Sequence, residues 1–162
     1  MRLSSVVLTL ACAFGLTSAA SINNPFSFNP APATITTCPG GDDTDLLTID
    51  YVNINPNPPL KGEILTIDAK GTLADDVVEG AKIFLVVKLG LIKLLTKELD
   101  FCEESAKIDK PCPLKAGDQY LYHEVELPKE IPPGKYIVNV KVKNPDEKQV
   151  TCLVATAFFG IK

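Results

Sequence analysis

The stretch CEESAKIDKPCP, residues 102–113, runs on through LKAGD into QYLYHEVEL, residues 119–127. Two cysteines bracket nine residues that are mostly charged or small, and a Tyr-x-Tyr pair follows at Tyr120 and Tyr122. Aromatic and polar residues alternate along 119–127, the period of a strand with one face covered. A charged loop tied off immediately before an aromatic strand raises the question of what the crosslink holds in place.

Segments of the same kind flank it. LLTIDYVNI (46–54) is rich in β-branched and aromatic residues and stops at NPNPP. In GEILTIDAKGTL (62–73) Leu65, Ile67 and Ala69 fall on one face and Thr66, Asp68 and Lys70 on the other. AKIFLVVKLG (81–90) is mostly apolar, so its faces should be covered or meet something apolar. TKELDF (96–101) leads into the cysteine loop, and 89–99 reads as strand or loop despite a possible leucine stripe. After the Pro-Pro-Gly turn, KYIVNVKVKN (135–144) puts Tyr136, Val138, Val140 and Val142 on one side, and QVTCLVATAFFG (149–160) closes the series. About seven short strands, regular structure starting near Leu46 and no helix longer than a turn or two predict an all-β, immunoglobulin-like β-sandwich of two sheets.

The chain starts MRLSSVVLTLACAFGLTSAAS, with Arg2, an apolar run over 6–16 and small residues at 17–20. That layout is a secretory signal peptide over residues 1–20, too short in its apolar part to span a bilayer. Residues 21–37 hold three prolines among Asn, Ser and Thr and read as a flexible leader, of the composition of a removable pro-segment, before a single domain at 38–162. Cleavage removes Cys12 and leaves Cys38, Cys102, Cys112 and Cys152. An even count in an oxidising compartment predicts two disulfides, with three pairings open.

Cleavage also removes Arg2, the one arginine of the 16 basic residues, leaving fifteen lysines against twenty acidic residues. A net charge of about −5 argues against a nucleic-acid partner, since neutralising phosphates needs a basic surface. His123 is the one histidine, which excludes a His-rich metal site, and it reads as a half-exposed strand residue. The carboxylate pairs Asp42-Asp43, Asp75-Asp76 and Glu103-Glu104 lie on turns as solvated charge, and DDTD (42–45) lacks the glycine and glutamate of a calcium loop. No Gly-x-Ser-x-Gly elbow or Cys-x-x-Cys pair occurs, so no catalytic centre, metal or cofactor is expected.

Read in order, the cysteines and turn motifs form the set C…C…CP…Y-x-Y…LP…PPG-x-Y…C over roughly residues 36–162. This closely resembles the ML lipid-recognition family, which includes Niemann-Pick type C2-like sterol carriers and fungal phosphatidylglycerol/phosphatidylinositol transfer proteins; the fungal branch fits best. The resemblance implies bridges Cys38–Cys152 and Cys102–Cys112, an apolar cavity between the sheets, and a non-enzymatic carrier of phospholipid, acting as a monomer with transient membrane contact in the secretory pathway, outside the cell or in a vacuolar or lysosome-like lumen. Sterol carriage and a secreted protein-interaction module are the alternatives.

On this reading Tyr120 and Tyr122 belong to the cavity rim, and Leu127, Ile131 and Pro132 occupy the stretch where the family places its mouth. Phe84, Val86 and Leu91 on the central apolar run, with Val138, Val140 and Phe158 on the last two strands, are the remaining cavity candidates. For each the competing assignment is ordinary core, because alternation does not tell a lining residue from a filling one. Lys88 and Lys93 are candidates for an anionic head group, with plain solvated lysine as the alternative.

Overall fold

The computed structural model describes residues 31–40 and 44–160. The proposed signal peptide and all but the end of the leader lie outside them. Eight strands form two antiparallel sheets: β1 (Thr34–Thr37), β2 (Leu47–Asn55), β3 (Ile64–Leu73), β4 (Lys82–Leu89), β5 (Ile92–Asp100), β6 (Gly117–Glu126), β7 (Gly134–Lys143) and β8 (Gln149–Phe159). One sheet has the order β1-β8-β7-β4-β5 and the other β2-β3-β6. A six-residue helix, α1 (Phe101–Ala106), leads off the end of β5.

Regular structure therefore begins at Thr34, inside the segment read as a leader, not near Leu46. The cause is local. Past the last leader proline, the β-branched run TITT pairs with β8, Ile35 opposite Ala155, and this lets Cys38 reach Cys152. Residues 89–99 resolve as a hairpin with Gly90 in its turn and β5 as an edge strand.

The phase of each strand decides what faces inward. On β3 the row Leu65, Ile67, Ala69, Gly71 and Leu73 looks at the opposite sheet, and on β7 Tyr136, Val138, Val140 and Val142 do. On β2 a bulge between Ile49 and Tyr51 places Asp50 and Tyr51 outside together, so Leu47, Ile49 and Val52 point in. Gly71 permits this kink, since a Cβ there would sit 2.6 Å from the Thr48 carbonyl oxygen. The ladder pairs Leu85 with Val140 and Val87 with Val138, so β4 turns Ile83, Leu85, Val87 and Leu89 inward and Phe84, Val86 and Lys88 outward. The apolar run 81–90 is thus not covered on both sides. Phe84 is partly open on the outer face.

The most deeply buried hydrophobic cluster lies at one end. Leu73, Val77, Ala81, Val142 and Val150 are buried together, with Leu114, Phe101 and Leu46 packed against them. Asn144 closes that end: its amide nitrogen donates to the Asp76 carbonyl (3.0 Å), and its Oδ1 accepts from the Val78 N–H (3.3 Å). The Cys38–Cys152 disulfide ties β1's end to β8 across 114 residues of sequence, and in the chain-entropy model a loop of that length contributes about 5 kcal/mol.

Candidate functional site

From the buried cluster, whose Leu73, Val77, Val142 and Val150 form the floor, the sheets separate around a cavity of about 570 Å³. That lies within the range of about 300–1,000 Å³ common for ligand pockets. Its walls are almost wholly aliphatic. The three-stranded sheet contributes Leu47, Ile49 and Val52 from β2, Ile67, Ala69 and Gly71 from β3, and Leu121 from β6. The five-stranded sheet contributes Ile35, Ile83, Val138, Val140, Leu153 and Ala155. Ala69 and Ala155 leave volume that larger side chains would fill.

The crosslinked loop forms part of the same wall. Asp100 caps α1, its Oδ1 accepting from the backbone N–H of Cys102 (2.9 Å) and Glu103 (3.2 Å), and Glu103 and Glu104 in the first turn suit the helix dipole. The Glu103 N–H is also the main reason that the Asp100 carboxyl is held below the usual carboxylate range. The Cys102–Cys112 disulfide then folds the chain back so that Phe101, Glu104, Ser105, Ile108 and Lys110 border the cavity. Ser105 is buried, with its hydroxyl donating to the Cys102 carbonyl at 3.2 Å. The question raised by the tied loop has a direct answer: the crosslink pins a cavity wall.

On the strand that follows, the two tyrosines stand on the outer row. Ladder partners share a face, and Tyr120 and Tyr122 lie opposite Lys70 and Asp68 of β3, on the outside of the sheet. They are 56 % and 67 % exposed. The inward row of β6 is Gln119, Leu121, His123 and Val125. Both rows of this strand mix apolar and polar groups, and the tyrosines satisfy their hydroxyls outside. Tyr122 Oη donates to Glu124 at 3.0 Å, a bond that holds its phenol above the ordinary tyrosine value. Lys70 Nζ sits 5.6 Å from the Tyr120 ring centroid and 3.2 Å from Asp50, whose hydrogen bond holds the ammonium above the usual lysine range. Tyr120 still borders the cavity along its strand, with its ring outside.

Of the side chains proposed from sequence, Tyr120, Val138 and Val140 border the cavity. Phe84, Val86 and Phe158 face out from the five-stranded sheet, where Lys135 Nζ lies 5.8 Å from the Phe158 ring centroid. Tyr122 faces out from the other sheet, and Leu91 stands free at the hairpin turn. Leu127, Ile131 and Pro132 follow β6 in a connection that does not line the cavity; the Leu127 N–H donates to the Glu63 carbonyl, and the Pro132 carbonyl accepts from Tyr136 Oη. Lys88 and Lys93 are also away from the lining. Sequence reasoning read His123 as a half-exposed strand residue and did not place it at the cavity, which it lines with Gln119; the signal for both was the other phase of the β6 alternation.

The ML domain model matches residues 33–159, the whole of this two-sheet arrangement with both bridges. The chain belongs to the ML domain family. Among its relatives, the phosphatidylglycerol/phosphatidylinositol transfer protein of Neurospora crassa is 40% identical over 169 residues, covering 100% of this chain and 96% of that one. The protein of the same name from Aspergillus fumigatus is 40% identical over 166 residues, covering 96% and 95%. In fold, the ML domain here is similar to a Niemann-Pick type C2 protein from the Japanese carpenter ant, with TM-score 0.58 and 14% identity over 77% of this chain and 98% of that one. It is also similar to chicken MD-1, solved in complex with lipid IVa, with TM-score 0.56 and 19% identity over 80% and 90%.

Proposed function

We propose that this ML domain carries a phospholipid of the phosphatidylglycerol or phosphatidylinositol class between membranes, with acyl chain held between the sheets. The observation that carries the reading is the aliphatic cavity of about 570 Å³ in a chain 40% identical, end to end, to fungal transfer proteins for those lipids. Exposing a lipid tail to water costs about 0.8 kcal/mol per methylene, so a walled apolar volume removes most of the barrier to leaving a bilayer. The step makes and breaks no covalent bond. The inward aliphatic rows would hold the tail, while Gln119 and His123 are polar side chains on the wall that could meet an ester or hydroxyl oxygen. Lys70, Glu104 and Lys110 are the charged side chains that border the cavity and could meet a head group. Two disulfides fit a protein of the secretory pathway, working as a monomer in a lumen or outside the cell after loss of residues 1–20.

Native mass spectrometry of the purified protein tests this. The mass expected is that of a one-to-one phospholipid complex, with phosphatidylglycerol or phosphatidylinositol in the extract and transfer of those lipids between vesicles. A protein that emerges empty and takes up no fluorescent phospholipid, or that yields sterol alone, overturns it.

A further inference from the structure

We propose that the β4–β5 hairpin is the element that docks this protein on a bilayer rich in anionic lipid, an inference that rests on the carrier reading above. Among the described residues, the hairpin carries the most exposed large apolar side chain. Leu91 at its turn is fully exposed, at 102 % of its reference area, and Ile92 and Leu94 are 67 % and 50 % exposed. Three neighbouring aliphatic side chains projecting into water from a turn have no folding benefit where they are, and they suit insertion at the boundary between head groups and acyl chains.

The charge beside them is of one sign. Lys88 and Lys93 are directly opposed across the ladder, an arrangement that costs stability unless an anion lies between them. Lys135 is next to the turn, its carbonyl accepting from the Gly90 N–H at 2.8 Å. None of these three lysines forms an ion pair among the described residues, and neither does Lys97 farther along β5, so their charge is not neutralised locally. Glu98 is the acidic residue of β5 before Asp100, and it lies farther down the strand opposite Phe84. In a chain of formal net charge −4, an unpaired lysine cluster around an apolar tip complements an anionic surface.

The geometry also connects the tip with the cavity. The five-stranded sheet is wider than its partner, and β5 is exposed on both faces from Ile92 to Glu98. The inward row of β4 and β7 continues from Val140 and Val138 past Leu85 and Val87 to Leu89. A protein seated on its hairpin therefore presents an uninterrupted aliphatic strip from bilayer to cavity. Another copy of the chain is a poorer occupant of this edge, because a bulge between Val87 and Lys88 and the lysines at 93 and 97 obstruct strand-to-strand pairing.

The chain contains no tryptophan, so Leu91→Trp is a clean reporter. Its emission should shift to the blue on vesicles containing phosphatidylglycerol, with little shift on phosphatidylcholine alone, and the shift should weaken with salt. A lysine near an anionic bilayer strengthens binding roughly fivefold, so Lys88→Glu with Lys93→Glu should weaken vesicle binding at least thirtyfold. Leu91→Asp, at a side chain with no packing to lose, should slow transfer at least tenfold. Lys148→Glu, in the distant β7–β8 turn, should leave both nearly unchanged. Uptake of a fluorescent phospholipid without vesicles scores the cavity separately: failure there sinks the carrier reading, whatever the hairpin does. Normal uptake with no emission shift, with vesicle binding indifferent to the double reversal, or with Leu91 covered in a stable dimer overturns the docking proposal.

Discussion

Replacing Ala155 by phenylalanine separates a hollow sandwich from a filled one by the sign of a single number. Ala155 sits on the inward face of β8, between Ile35 of β1 and Val138 of β7, and its side chain borders the cavity. In a packed interior the added ring would force neighbours off their rotamers, at a cost of about 1–3 kcal/mol. Here it enters open aliphatic volume. Burying a phenylalanine that the unfolded chain exposes is worth about 1.5–3 kcal/mol, and part of that should survive, giving a gain of about 1–2 kcal/mol. For a domain of this size that raises Tm by about 3–6 °C. The same ring occupies space a lipid tail would use. Displacing three methylenes from the cavity at about 0.8 kcal/mol each weakens uptake about fiftyfold. Calorimetry of the delipidated protein and titration with a fluorescent phosphatidylglycerol analogue read the two effects. A lower Tm, or unchanged uptake, refutes the reasoning.

Other perturbations probe the rest of the account. Val77→Ala, at a fully buried side chain, should cost about 2 kcal/mol, while Val138→Ala, at a half-buried place on the cavity wall, should cost under about 1 kcal/mol in denaturant melts of the empty protein; equal losses would mean that the cavity collapses in solution. Opening the Cys102–Cys112 bridge with paired serines removes about 3 kcal/mol by loop entropy and should lower lipid affinity as well, because that loop is cavity wall; a stability loss with intact affinity would reduce the bridge to a fold clamp. The Asp76, Asp100 and Asp146 carboxyls are held low, chiefly by Lys115, the Glu103 N–H and the Lys148 N–H. Their contribution is complete above the unfolded carboxyl pKa of about 3.9 and is lost as pH falls through the lower folded values. Tm should therefore be level above about pH 5 and drop below pH 4, with a smaller drop in Asp76→Asn; a flat profile to pH 3 would contradict this.

How much of this was readable from the chain differs from strand to strand for physical reasons. The phases of β3 and β7 were legible, because each has one apolar row and one row that is charged or polar apart from a single isoleucine, Ile64 or Ile137. The phase of β6 was not, since Tyr120 and Tyr122 compete with Leu121 and Val125, and the decision falls to the ladder partners Lys70 and Asp68. Strand β1 escaped notice because four β-branched residues after a proline-rich stretch pair only through β8, far away in sequence. The apolar hairpin reads as buried in any pattern of one sequence; its exposure follows from one sheet having two more strands than the other. Whether Val138 and Val140 face a void or a neighbour depends on the separation of two sheets, which no alternation records.

Bromine on the acyl chain of phosphatidylglycerol gives the most direct view of where the tail goes. In crystals of the loaded protein the account predicts an anomalous bromine peak between the sheets, with Val138 and Val140 on one side and Ile67 and Leu121 on the other. Bromine confined to the outer surface, or a closed interior with no peak, would contradict it.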